Sequence, residues 1–324
     1  MTTELPTDLA RLGEVTGHLE GNAHTRAAVY ALGGRVADHQ GWIAEHGDRV
    51  RACLRTYGAV LLTGLPVDLA LFAAAVRAVG GEPLGYNERS TPRTEVEANI
   101  YTSTEYPPDQ VIPMHNENSY SDRWPDTLFF LCRTAAETGG ATPIADSRAV
   151  LRLVPPDVRD RFASGVAYTR TFREGFGLSW QETFQTDRRE EVERYCREHG
   201  QSFTWTGDGG LRTSHRRPAW RTEPVTGAEV WFNQANLFHV SALDEEVQEA
   251  LLAVYAEEDL PRNAYFGDGS PIKPDDIAAV DAAYAEASLA LPWSEGSMLI
   301  VNNMLAAHGR ESYTGERSIL VAMA

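Results

Sequence analysis

Apolar positions recur along this chain in two rhythms, and together they predict a mixed fold dominated by short strands. A helical period runs over 42–57, where Ile43, Val50 and Leu54 share one stripe and Gly58 ends it. A second helix is expected over 69–79, with Asp68 as N-cap and Gly80-Gly81 closing it. Between them, 59–63 is a short apolar run stopped by Gly64 and Pro66, as a buried strand would be. The run 127–133 (Thr-Leu-Phe-Phe-Leu-Cys-Arg) is apolar at nearly every position, which suits a strand covered on both faces. Further strands are predicted at 166–172, 201–206, 229–233, 297–302 and 317–323. Helices are predicted from Ser147, after Pro155-Pro156, from a capping box of Asp187 and Glu190 to Gly200, and over 244–257 and 274–288. Two stretches lack a period. Residues 82–111 read as strands and loops, and 173–187, where Gly, Trp and Phe cluster, as a loop able to cover a site.

No repeat, low-complexity tract or linker divides the sequence. Many short strands with inserted helices favour a mainly β architecture: a double-stranded β-helix (jelly roll) core with flanking and inserted α-helices, in one domain over 1–324. The first 40 residues, mixed and polar, are a leader or an edge element.

Charge narrows the function. With 29 basic and 46 acidic side chains the formal charge is 29 − 46 = −17, and no basic run exceeds a pair, which argues against nucleic acid. Cys53, Cys132 and Cys196 are odd in number and far apart, as in a reduced, cytoplasmic protein. The N-terminus lacks the basic start and apolar core of a signal peptide, and no apolar run could span a membrane.

Candidate chemistry centres on 112–146. His115 and Glu117 stand two apart, so on a strand they would share a face, whereas on a helix they would diverge by roughly 200°. His308, after the apolar run 298–301, is the candidate third ligand, with His239 its rival. Two histidines and one carboxylate form the facial triad of non-haem iron oxygenases. Arg317 follows His308 on the last expected strand.

These residues sit in motifs that, taken together, are specific: Thr-Ser-Thr-Glu-Tyr-Pro-Pro at 102–108, His-Asn-Glu-Asn-Ser-Tyr at 115–120, Gly-Gly-Ala-Thr-Pro-Ile-Ala-Asp-Ser-Arg at 139–148, Val-Trp-Phe-Asn-Gln at 230–234 and Asn-Met-Leu-Ala-Ala-His-Gly-Arg at 303–310. From about residue 40 to its end the chain resembles the taurine-dioxygenase (TauD/TfdA) family of Fe(II)/2-oxoglutarate oxygenases. Within it, the likeness is to the branch of the syringomycin-biosynthesis aspartyl hydroxylase and the clavaminate-synthase-like members. The resemblance implies Fe(II), 2-oxoglutarate and O2 as cofactor and co-substrates, and His115, Glu117 and His308 as iron ligands. It implies Thr142 as a hydrogen-bond partner of 2-oxoglutarate and Arg317 as the cation for its distal carboxylate. Arg317 lies nine residues past His308, a shorter gap than the family often shows, and Arg310 is the alternative.

Glu117 in place of aspartate matches the clavaminate-synthase-like members. Halogenating relatives carry a small residue there, so the implied outcome is hydroxylation or a related oxidation. The implied substrate is an amino acid or derivative, free or on a carrier protein, in natural-product (antibiotic) biosynthesis. Another small acid, a desaturation or cyclisation, and a non-catalytic metal-binding jelly roll are the alternatives. Arg89, Arg93 and Arg123 are candidates for the substrate's carboxylate, Asn118, Ser119 and Asn233 for hydrogen bonds, and Trp180 and Phe184 for a cap over the pocket. Similar enzymes are often homo-oligomers.

Overall fold

A computed structural model describes residues 4–84, 95–97, 99–103, 106–173 and 177–324, with the side chains of 95–97 excepted. Its largest sheet has nine strands, in the order Arg11–Leu12, Val15–Gly21, Arg26–Ala31, Ala59–Thr63, Met298–Asn302, Thr127–Thr134, Ser318–Met323, Ile100–Thr102 and Glu95–Glu97. Residues 11–31 thus form one edge of this sheet. Arg26–Ala31 and Ala59–Thr63 pair in parallel. Parallel neighbours need a long crossover, and here it is the helix His39–Tyr57. Asp38 caps that helix by accepting from the Gly41 N–H at 2.9 Å. Gly58, at φ +78°, closes it by donating to the Leu54 carbonyl at 2.8 Å.

The central strands explain their own continuous apolar runs. Side chains alternate faces along a strand. Phe129, Leu131, Met298, Ile300, Leu320 and Ala322 pack on the outer face with the helix residues Ile43, Val50, Leu54 and Phe72. Leu128, Phe130, Cys132, Leu299, Val301, Ile319, Val321 and Met323 pack on the inner face. Fully burying one such aromatic or aliphatic side chain stabilises the fold by roughly 1.5–3 kcal/mol.

The inner face meets a three-stranded antiparallel sheet in the order Ile144–Asp146, Ala306–Arg310, Ile112–His115. Ile144 and Ala306 join the inner-face cluster, and the His308 ring lies 5.1 Å from that of Phe130. A third, four-stranded sheet orders Ser202–Trp205, Leu211–Arg217, Val166–Phe172 and Arg262–Phe266. The architecture is mixed helix and sheet with many strands. Among the described residues no helix is long and apolar enough to cross a membrane, and the three cysteines are buried and form no disulfide.

Several expectations change. The capping box is Ser179 with Glu182, heading a short helix Trp180–Phe184 inside the stretch read as a loop. The next helix, Arg189–Glu198, has Arg188 at its N-cap and no side-chain cap bond, so Asp187 does not cap it. The Thr186 hydroxyl instead binds Glu191 at 2.5 Å. Trp180 and Phe184 do not cover the site; they pack with Phe172, Trp205 and Val192 in a cluster of their own. Strand Leu211–Arg217 has no apolar alternation to announce it, because its buried positions after Leu211 are Thr213, His215 and Arg217.

Candidate active site

Strands Ile112–His115 and Ala306–Arg310 run antiparallel with His115 directly opposite His308, so the ladder itself sets the two imidazoles side by side, ring centroids 4.5 Å apart. Close approach of the strands depends on Gly309: a Cβ there would stand 2.8 Å from the Ile112 carbonyl oxygen and 2.9 Å from Met114 Sδ.

Glu117 reaches the same point by a different route from the one its spacing predicts. His115 is the last residue of its strand and Glu117 lies in the turn that follows, so the carboxylate does not converge by sharing a strand face. The turn holds Asn118 at φ +54°, a conformation Asn tolerates. Asn303 clamps it. Its amide oxygen accepts from the Glu117 N–H at 2.7 Å, and its amide nitrogen donates to the Glu117 carbonyl and the Pro125 carbonyl, each at 2.9 Å. The Asn303 carbonyl in turn accepts from Asn116 Nδ2 at 2.6 Å, and Gln234 Nε2 donates to the Asn116 carbonyl at 2.7 Å.

Glu117 Oε2 comes to 4.0 Å from His308 Nε2. One donor atom from each of His115, Glu117 and His308 can be chosen so that all lie within 4.8 Å of one another, and all three residues are buried. His115 Nδ1 lies 2.8 Å from the Pro113 carbonyl, to which it must donate, so Nε2 carries the lone pair a metal needs. Two imidazoles and one carboxylate of this proximity suit a ferrous ion with positions left for other ligands. His239, the rival, is taken up elsewhere: its ring nitrogens meet Ser241 Oγ at 2.7 Å and the Ile272 carbonyl at 3.0 Å.

The triad opens into a cavity of about 570 Å³ that also exposes Phe130, Thr142, Arg310, Arg317, Ile319 and Val321. The size falls within the roughly 300–1,000 Å³ of small-molecule sites. The two candidate arginines are used differently. Arg310 is buried and donates to the Tyr106, Pro107 and Gln110 carbonyls at 3.0, 2.6 and 2.7 Å, which holds that loop. Arg317 directly precedes its strand, donates through Nε to the Gly140 carbonyl at 2.8 Å and leans Nη2 toward Thr142 Oγ1 at 3.4 Å. Burial, with Arg310 nearby, lowers the Arg317 guanidinium to about 10, still charged at neutral pH. Burial lowers Arg310 as well. Two desolvated cations in a protein of charge −17 form a local well for an anion.

The tentative substrate residues do not gather here. Asn233 is fully buried, with Nδ2 donating to the Ala219 carbonyl at 2.8 Å and Oδ1 accepting from the Ala235 N–H at 2.9 Å; it braces the helix Ala235–Phe238. Arg123 is exposed in a separate hollow with Trp124 and Arg221. Asn118 shapes the Glu117 turn and does not line the cavity, nor does Ser119. Arg89 and Arg93 lie outside the described residues. Asn303, Gln234, Phe130 and Arg262 also build or line the site; of these, Gln234 and Asn303 lie in the motifs at 230–234 and 303–310, and the other two carry no local signal of it.

Comparison with known proteins agrees with this geometry. The sequence model of the family described as "Taurine catabolism dioxygenase TauD, TfdA family" matches residues 23–323. The dapdiamide synthesis protein DdaC of Enterobacter agglomerans is 41% identical over 268 residues, 82% of this chain and 82% of that protein. A clavaminate synthase-like protein of Arabidopsis thaliana is 31% identical over 283 residues, 83% of this chain and 82% of that one. Among solved structures, PvcB of Pseudomonas aeruginosa, an Fe, alpha-ketoglutarate dependent oxygenase from an isonitrile synthetic pathway, has a TM-score of 0.58 at 14% identity. That match covers 100% of this chain and 94% of PvcB, and it is a likeness of fold.

Proposed function

Because the chain belongs to the taurine catabolism dioxygenase TauD, TfdA family, we propose that it hydroxylates an unactivated C–H bond of an amino acid or amino-acid-derived substrate in natural-product biosynthesis. It is a dioxygenase, with iron as cofactor and 2-oxoglutarate and O2 as co-substrates. The observation that carries the residue assignment is the cross-strand pair His115 and His308, with Glu117 beside it, in a cavity shared with Thr142 and Arg317. The substrate class draws on the 41% identity to a dapdiamide synthesis protein.

In this reading His115, Glu117 and His308 hold the iron. Arg317 takes the distal carboxylate of 2-oxoglutarate and Thr142 donates its hydroxyl to the same group; Arg310 stays with its loop. Bound iron with 2-oxoglutarate would supply the oxidising power: one atom of O2 would enter the succinate formed as 2-oxoglutarate loses CO2, and the other the substrate alcohol. The protein's own part is positioning and exclusion. Phe130, Ile319 and Val321 give the cavity an apolar wall that keeps water from the reacting centre. Glu117 fills a ligand position that a halide would need, which favours hydroxylation. The nine- and three-stranded sheets are read as the walls of a double-stranded β-helix, and 1–324 as one oxygenase domain. A cytoplasmic location is supported by three buried cysteines that form no disulfide.

The test is succinate release in air, with Fe(II), ascorbate and 2-oxoglutarate, over free and carrier-bound amino acids, sulfonates and aryloxy acids. One of the amino acids should accelerate release and gain one oxygen atom. Acceleration confined to sulfonates or aryloxy acids would overturn the substrate class.

A further inference from the structure

The cavity has a second basic element that the 2-oxoglutarate site does not use. Arg262 opens strand Arg262–Phe266 of the four-stranded sheet, far in sequence from Arg310 and Arg317, and its side chain lines the same cavity as the triad. In register it stands directly opposite Arg170. Like charges facing each other across a ladder are destabilising, and a guanidinium cannot shed its proton to escape. Among the described residues no carboxylate pairs with Arg262 and no hydrogen bond satisfies it. Its neighbours are the face of Phe238, 5.8 Å away, and Tyr106. Burial is the main cause that lowers its basicity, with Arg170 second. A half-buried cation with no anionic partner among the described residues is a cost the fold recovers when an anion arrives.

Arg310 and Arg317 are already tied to carbonyls and to Thr142. Arg262 is not. We infer that Arg262 is the residue that binds a carboxylate of the substrate, and that the substrate is a zwitterion, not a polyanion. This rests on the oxygenase reading given above. The second half follows from the cavity's other polar groups. Asp109 and Asp244 are exposed residues of the lining, and Asp244 precedes the helix Glu245–Val254 without a side-chain capping bond, so its carboxylate is not engaged there. With a molecular charge of −17 behind them, these carboxylates repel a second negative group and attract an ammonium. A single carboxylate with a cationic nitrogen fits both ends.

The experiment compares free L-amino acids with their carboxamides, in the wild type and in Arg262→Gln and Arg262→Lys. Three readouts are taken: the visible band of the Fe(II)–2-oxoglutarate chelate, the KM for 2-oxoglutarate, and amino-acid-stimulated succinate release. In the wild type at least one amino acid should stimulate release, and its carboxamide at least tenfold less. Arg262→Gln should raise the KM for that amino acid at least tenfold and erase the preference for the acid. Arg262→Lys should recover part of it. The chelate band and the KM for 2-oxoglutarate should be unchanged in both variants, which also shows that they fold. The inference is overturned if acid and carboxamide stimulate equally, if Arg262→Gln keeps the preference, or if no amino acid stimulates release. It is also overturned if Arg262→Gln raises the KM for 2-oxoglutarate instead. Loss of the chelate band in the wild type would strike the oxygenase reading itself.

Discussion

Asn303 holds the proposed iron site without being one of its ligands. Both ends of its amide fix the backbone of Glu117. Asn303→Ala strands buried partners, so it should cost about 2–3 kcal/mol of stability. It should also weaken Fe(II) binding by roughly 10–100-fold, as loss of a group that orients ligands does. Urea unfolding and ferrous titration measure the two effects separately. The arginines divide in a similar way. Arg317→Lys keeps a charge but loses the planar fork, and should raise the KM for 2-oxoglutarate by about tenfold or more with Fe(II) affinity retained. Arg310→Ala should instead destabilise the protein, because the carbonyls of 106, 107 and 110 lose their donor. If Arg310→Ala alone raised that KM, the roles of the two would be exchanged.

Among elements, the short three-stranded sheet matters more than the large one, since it sets the distance between the histidines. Gly309→Ala would drive a methyl into the Ile112 carbonyl and Met114. The strands must then separate, and both Fe(II) affinity and thermal stability should fall; an unchanged ferrous titration would show that the ladder does not set the site. This sheet is also what sequence could not show. The strands Thr127–Thr134 and Met298–Asn302 are covered on both faces, so nearly every residue is apolar and the pattern is plain. Strand Ala306–Arg310 carries His308 and Arg310 in five residues, and its burial comes from partners more than 150 positions away. No local period reports that. The residues that gather there, His115, Glu117 and His308, were legible all the same. The means of convergence were not, because Glu117 owes its place to Asn303, 186 residues on. Arg262 escaped notice because one arginine heading an ordinary strand carries no local sign of what it faces.

At the scale of the whole molecule, acid should be the weakness. His215 is buried against Tyr120 and Tyr168, with Nε2 donating to the Tyr120 carbonyl at 2.8 Å. Burial holds it neutral and lowers it from 6.5 to about 4. As pH falls from about 6.5 towards 4, the unfolded chain takes up this proton before the folded one, so stability drops through that window, by up to about 3 kcal/mol at its foot. Urea midpoints measured from pH 7 to 4 should fall, and His215→Gln should flatten that fall; an equally steep fall in the variant would assign the acid sensitivity elsewhere.

The central claim is that His115, Glu117 and His308 hold iron to which 2-oxoglutarate binds. Its most direct test is anaerobic addition of Fe(II) and then 2-oxoglutarate, watched for the weak visible absorption of the chelate. The wild type should develop the band, and His115→Ala and Glu117→Ala should lack it while remaining folded. No band in folded, iron-loaded wild type, or an undiminished band in both variants, would contradict the account.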